Sequence, residues 1–155
     1  MEFFKGLLIM EIIRATETFQ QAGAYYVRIQ AMAKKHQITL RQEFDEYDTP
    51  DTKYIVVTED EFPIATARMY PIKDAMMIGR VVVLPEYRHR GIGSKVVEAC
   101  EAWAMELGFK KAVVESRDNK LDFYKQLGYE ICGDAVEGET FRCIRMEKVM
   151  GGKND

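Results

Sequence analysis

The residues best suited to chemistry are Arg88-His89-Arg90-Gly91-Ile92-Gly93-Ser94, a basic, glycine-containing turn set after the apolar run Val81-Val82-Val83-Leu84 and Pro85. At the start of a helix such a turn cradles an anion. The first amides of the helix are unpaired, its dipole favours negative charge, glycine lets the backbone approach phosphate oxygens, and the guanidiniums add counter-charge. A diphosphate fits that description. Gly91-Ile92-Gly93-Ser94-Lys95 is too compact and out of order for a Walker motif, and Val96 stands where a dinucleotide fingerprint carries its third glycine. A glycine-rich helix start that binds nothing is the competing reading of the motif taken alone.

The other reactive side chains are scattered. His36 and His89 are far apart, with no HExxH and no Cys/His cluster, so no metal is expected. Cys100, Cys132 and Cys143 are an odd number without CxxC spacing and read as reduced, buried thiols. Cys100 and Trp103 lie on an apolar helical stripe and belong to the core, while His89, inside the basic turn, suits a ligand-side or solvent role better than that of a base. The segment from Glu43 to Asp51 concentrates acid: Glu43, Asp45 and Asp48 would attract a cationic amine, unless the run is simply a solvated face.

The elements that must position these residues follow from periodicity. Leu7 to Ala15 reads as a strand, and Thr16-Glu17-Thr18 opens a helix to about Lys35, with Phe19, Ala22, Tyr26, Ile29 and Met32 as its buried stripe and Arg28 facing water. Tyr54–Thr58 and Pro63–Tyr70 form a hairpin around Glu59-Asp60-Glu61. Met76 to Leu84, apolar on both faces, suits a central strand. The helix after the basic turn carries Val96, Cys100, Trp103 and Leu107 on its stripe, with Lys95, Glu98 and Glu101 elsewhere, and Gly108 ends it. Ala112–Glu115 is the next strand, which makes a strand–helix–strand unit and hence a parallel pair. A short helix from Asn119 to Leu127 follows, then strands at Tyr129–Cys132 and Thr140–Glu147 around an Asp134–Glu139 turn.

With 155 residues, 47% hydrophobic and 30% charged, the chain reads as a single domain over 1–155, its core about 7–149. A net charge of −3 gives no basic field, so nucleic acid is not an expected partner. The apolar stretch Leu7-Leu8-Ile9-Met10 is cut by Glu11 and falls far short of the ~20 residues a membrane span requires; no membrane association and a cytoplasmic location are expected. No self-complementary patch stands out, which leaves a homodimer open.

Two motifs in register resemble the GNAT superfamily of N-acetyltransferases. Arg88-His89-Arg90-Gly91-Ile92-Gly93 matches its Arg/Gln-x-x-Gly-x-Gly/Ala signature between a strand and an amphipathic helix, and Phe123-Tyr124-Lys125-Gln126-Leu127-Gly128-Tyr129 is similar to its Phe-Tyr-x-x-x-Gly-Phe/Tyr segment. The closing Arg145-Met146-Glu147-Lys148 is similar to the last strand of bacterial acetyltransferases. The resemblance implies an α/β (α+β) fold: a mixed, mostly antiparallel sheet of six to seven strands, a parallel pair at the cofactor cleft, and helices on both faces. It implies acetyl transfer from acetyl-CoA to a primary amine of a small molecule or peptide by direct attack in a ternary complex. By position, Val81, Val82 and Val83 would lend backbone groups to the pantetheine arm and Arg88, His89, Arg90, Gly91, Ile92, Gly93 and Ser94 would hold the pyrophosphate. Tyr124 would protonate the leaving sulfur. The family often has Asn seven residues before this tyrosine; here Arg117 stands there and Asn119 follows, which makes Asn119 the replacement candidate. An amine with a pKa near ~10.4 must also lose a proton, to Glu43, Asp45, Asp48, Glu115 or a water chain. A catalytically silent acyl-CoA-binding module and a simple nucleotide-phosphate binder are the alternatives.

Overall fold

A computed structural model describes residues 8–137 and 142–151 of the chain. Leu7, Gly138, Glu139, Thr140 and Phe141, which the sequence reading assigned to strands or a turn, lie outside the described residues. Seven strands are hydrogen-bonded in the order β1-β2-β3-β4-β5-β7-β6: β1 (Met10–Arg14), β2 (Lys53–Glu59), β3 (Phe62–Ile72), β4 (Ala75–Val83), β5 (Lys111–Arg117), β6 (Glu130–Glu137) and β7 (Arg142–Val149). β4 and β5 run parallel, in register at Met76 with Ala112 and Met77 with Val113, whereas β1–β2, β5–β7 and β6–β7 are antiparallel. The mixed sheet, with β4 and β5 parallel at its centre, is the expected α/β class.

The chain divides into two compact units, one holding residues up to Arg68 together with Arg80–Ala99, the other holding Met69–Gly79 and the chain from Cys100 onward. In the first, a continuous helical run comprises α1 (Thr18–Arg28), a π turn (Ile29–Ala33) and α2 (Lys34–His36), which Gln37 ends in a left-handed conformation at φ 54°. Gln20 starts the run by accepting from the amides of Thr16 and Glu17, both at 3.0 Å.

The buried face of this run differs from the expected stripe. Phe19 is 70% exposed and Tyr26 45%, while Ala24, Val27, Arg28, Ala31 and Ala33 are buried. Small residues explain the rotation. They let the helix lie close to the sheet, where a Cβ on Gly23 would meet Pro63 at 3.3 Å, and Ala24 packs with Ala15, Tyr54 and Val56. A count of large apolar residues overlooks a face made of glycine and alanine. Val27 and Ala31 continue the contact onto Val82 of β4. After the run come α3 (Leu40–Glu43), started by the Thr39 hydroxyl accepting from the Gln42 amide at 3.1 Å, and a loop leading to β2. The β2–β3 hairpin turns on Asp60 and Glu61, both at positive φ, as a two-residue turn matching the strand twist requires.

In the second unit Ala75 and Met77 pack against Val113, with Tyr70 and Ile72 beside them, and Val114 lies opposite Met146 of β7. Helix α5 (Leu121–Gln126) follows a 3₁₀ turn at Asp118–Lys120, and Gly128 ends it at φ 100°. The expected turn at Asp134–Glu139 is a correction: residues to Glu137 stay in β6, with a register irregularity between Ile131 and Ala135 that absorbs Gly133 and Asp134.

Candidate functional site

The basic turn lies wholly in the first unit. After β4, a 3₁₀ turn (Pro85–Tyr87) leads to Arg88, His89 and Arg90, all exposed, and α4 (Ile92–Glu106) begins directly after Gly91. Two residues of the turn take left-handed backbone, His89 at φ 67° and Gly91 at φ 75°. A Cβ on Gly91 would meet no atom within 4 Å, so the space above this helix start is open. The Lys95 amide closes onto the Gly91 carbonyl at 3.3 Å, and the amides ahead of it in the first turn of a fifteen-residue helix have no intrahelical acceptor. Both guanidiniums are steadied from within: Arg88 Nε donates to the Val83 carbonyl at 3.0 Å, and Arg90 pairs with Glu59 at 3.0 Å and lies over the Tyr87 ring at 5.2 Å. Helix amides, the helix dipole and two cations thus lie within one short stretch of chain, a combination that favours an anion. Val82 is buried, and Val81 and Val83 are half-buried.

The acidic candidates, also in the first unit, are neither a solvated face nor free carboxylates. Glu43 is 1% exposed, and its Oε2 accepts from Arg28 Nε at 3.0 Å and from Arg80 Nε at 3.1 Å. Asp48 accepts from Arg28 Nη1 at 2.7 Å, Arg68 Nη1 at 2.8 Å and the Tyr54 hydroxyl at 2.7 Å. Asp45 accepts from Arg68 at 2.8 Å and Arg80 at 3.3 Å. Three carboxylates thus share three guanidiniums. Burial pushes the Asp48 carboxyl up, but the hydrogen bond and charge of Arg28, followed by Arg68 and Tyr54, outweigh it and hold it well below the usual range; Asp45 is lowered against its burial chiefly by Arg68.

The sequence reading missed Arg68 and Arg80 and placed Arg28 in water. A visible signal existed for Arg28 alone, which sits one turn after Ala24 and beside Val27 on the small-residue face. Nothing in the sequence marks Arg80. It stands in mid-strand at φ 50°, next to a glycine.

In the second unit Tyr124 of α5 is 8% exposed, its ring edge-on to Phe123 at 4.9 Å and to Tyr129 at 5.7 Å. Burial, then the nearby Cys100 and Cys143 thiols, push its phenol above the usual range, so it stays a neutral donor. Tyr129 donates to Glu101 at 2.6 Å, and Lys148 Nζ reaches the other oxygen of that carboxylate at 3.0 Å. Glu101, expected off the buried stripe, is 6% exposed because these partners satisfy it. Cys100 is fully buried, its thiol pushed up by burial, and Trp103 is 9% exposed; both belong to the core as expected, whereas Cys132, on β6, is exposed and Cys143, on β7, is half-buried, against the expectation of three buried thiols. Asn119 is exposed in the 3₁₀ turn, and Glu115 pairs with Arg145 at 2.5 Å. Among the described residues no helix is long and apolar enough to cross a membrane.

A model of the Acetyltransferase (GNAT) family matches residues 15–129. The Uncharacterized N-acetyltransferase YjcF of Bacillus subtilis (strain 168) is 27% identical over 126 residues, covering 81% of this chain and 89% of that protein. A crystal structure assigned as an N-acetyltransferase from Lactobacillus plantarum superposes with a TM-score of 0.85 at 28% identity, covering 91% of this chain and 98% of that one. A GNAT family acetyltransferase from Elizabethkingia anophelis, with acetyl-CoA bound, shares the fold at a TM-score of 0.67 and 15% identity, covering 92% of this chain and 98% of that one.

Proposed function

The chain belongs to the GNAT acetyltransferase family and is an acetyl-CoA-dependent acyltransferase; from that premise we propose that it acetylates a primary amine of a small molecule or peptide by direct attack in a ternary complex. The observation that carries this reading is the helix start at Gly91, where left-handed backbone, open space and two steadied arginines suit a diphosphate. The acetyl-CoA held by the Elizabethkingia protein supports the same choice of ligand.

Acetyl-CoA, when bound, supplies an activated thioester. The amides of Ile92, Gly93 and Ser94, with Arg88 and Arg90, would hold the diphosphate, and His89 stands exposed within the same turn. The backbone of Val81, Val82 and Val83 would hold the pantetheine arm, and an amide near Val83 would supply a hydrogen-bond donor to the thioester oxygen. Tyr124, buried and neutral, would be the proton source for the leaving thiol. Asn119 is a lesser cofactor contact. The amine proton leaves through water, since Glu43, Asp45, Asp48 and Glu115 are each committed to arginine, and Asp45 and Asp48, held below the usual carboxylate range, are weak bases. The acidic segment then serves the acceptor only indirectly, through the arginines that it fixes. Residues 1–155 are read as one acetyltransferase domain.

A panel of primary amines assayed for release of the CoA thiol, beside thermal shifts with acetyl-CoA and CoA, tests this. Thiol release with at least one amine and stabilisation by both ligands is the expected result. Stabilisation without release from any amine would leave a silent acyl-CoA-binding module; no stabilisation at millimolar ligand would sink the cofactor assignment.

A further inference from the structure

We propose that the Glu43–Arg80 ion pair is a positioning device for acetyl-CoA, holding Arg80 in a left-handed conformation in the middle of β4 and so setting the aim of the Val81–Val83 backbone. The inference rests on the function proposed above.

Arg80 has φ 50°, a conformation that residues bearing a Cβ avoid, and it lies inside a strand rather than in a turn. Gly79, next to it, would take that conformation freely, and a Cβ there would meet nothing within 4 Å. Backbone preference alone would move the kink by one residue. What holds it at Arg80 is the side chain: Nε on Glu43 Oε2 at 3.1 Å, Nη2 on the Glu43 carbonyl at 3.2 Å, and Nη2 on Asp45 at 3.3 Å.

The anchor itself is immobile. Glu43 is buried at the end of α3, and Arg28, fully buried, grips both its Oε2 at 3.0 Å and its carbonyl oxygen at 2.7 Å. One carboxylate oxygen and one carbonyl thus serve two guanidiniums, and Arg80 is the member whose backbone is strained. A single left-handed residue in a strand re-aims the groups that follow it, and those are Val81, Val82 and Val83. Pairing of β4 with β5 is at Met76 and Met77, ahead of the kink.

The test compares two substitutions that remove the same guanidinium but differ in what they ask of the backbone. Acetyl-CoA dissociation constants from titration calorimetry are measured for the wild type, Arg80→Ala and Arg80→Gly, with initial-rate kinetics alongside. Arg80→Ala should weaken acetyl-CoA binding about tenfold, because alanine cannot hold the kink unaided. Arg80→Gly should lose less than about threefold, because glycine keeps it without help. Glu43→Gln should behave as Arg80→Ala does and be rescued in the Glu43→Gln/Arg80→Gly double variant; should Glu43→Gln fail to fold, the two Arg80 variants decide alone. Equal losses from alanine and glycine would mean that the guanidinium acts directly, and no loss from either would make the pair purely structural; each overturns the proposal whatever happens to the melting temperature. A wild type that binds no acetyl-CoA would overturn the functional reading beneath it as well.

Discussion

Arg28 and Glu43 meet at 3.0 Å with both side chains closed to water, the arginine fully buried and the glutamate 1% exposed. A charge is taken out of water only where its partners replace the lost hydration, and Arg28 has Glu43 and Asp48 on its two sides, its pKa raised by them against burial. Arg28→Met should therefore leave Glu43 to Arg80 and Asp48 to Arg68 and Tyr54, and lower the unfolding free energy by about 3–5 kcal/mol. Glu59→Gln, which breaks only the exposed pair with Arg90, should cost about 0–1 kcal/mol. Urea unfolding of both variants measures the contrast, and similar losses would mean that the buried network is not the stronger of the two.

The same network fixes the acid side of the stability curve. Asp48 and Asp45 have lowered pKa values in the folded protein, so between those values and the unfolded value of about 3.9 the unfolded chain binds more protons. Their contribution is complete above about pH 5 and is lost as pH falls below about 4. The melting temperature should be level from pH 8 to 5 as far as these groups decide it, then drop. Asp48→Asn should be less stable at pH 7 and show a shallower acid decline. An unchanged acid slope in that variant would remove Asp48 as its cause.

What could be read from the sequence was what leaves a local signature. The succession of strands and helices along the chain, the parallel pair and the helix start at Gly91 follow from runs of β-branched residues, turn-formers and glycine spacing, all short-range. Arg68 and Arg80 were not legible, because a salt bridge joins residues such as Arg68 and Asp45, or Arg80 and Glu43, across stretches that no periodicity links. Glu101 failed for the same reason: only the strand partner Lys148 and the ring of Tyr129 reveal why a carboxylate can lie on a buried helix face. Phe19 and Tyr26 misled because size was taken for burial, whereas the sheet accepts the alanine face.

Gly91→Glu should abolish acetyl-CoA binding in a folded protein. The new side chain faces open space, so the fold has room for it, but its charge enters the place argued for the diphosphate, and glycine's left-handed φ of 75° is lost to a strained residue. Arg88→Ala and Arg90→Ala should weaken binding less, since the amides still donate, and their losses should shrink at high salt. Thermal shift with acetyl-CoA gives the comparison, and undiminished affinity in Gly91→Glu would put the cofactor elsewhere.

Tyr124→Phe should keep acetyl-CoA binding and lower kcat. The ring packs on Phe123 and Tyr129 and would go on doing so in phenylalanine, so only the hydroxyl is removed. A thiolate with a pKa near 8.5 can leave without full protonation, which puts the expected loss toward the low end of the ~10²–10⁴-fold typical of general acid–base groups. The phenol is pushed above its usual value of about 10, so it remains protonated across the working range and no alkaline limb below about pH 10 should belong to it. Turnover with the best acceptor found, read beside cofactor affinity, decides the matter, because a loss confined to kcat reports an interaction made only in the transition state. Full activity in the variant would make Tyr124 a core aromatic and give the sulfur's proton to water. A fall in affinity with kcat unchanged would make the hydroxyl a binding contact instead.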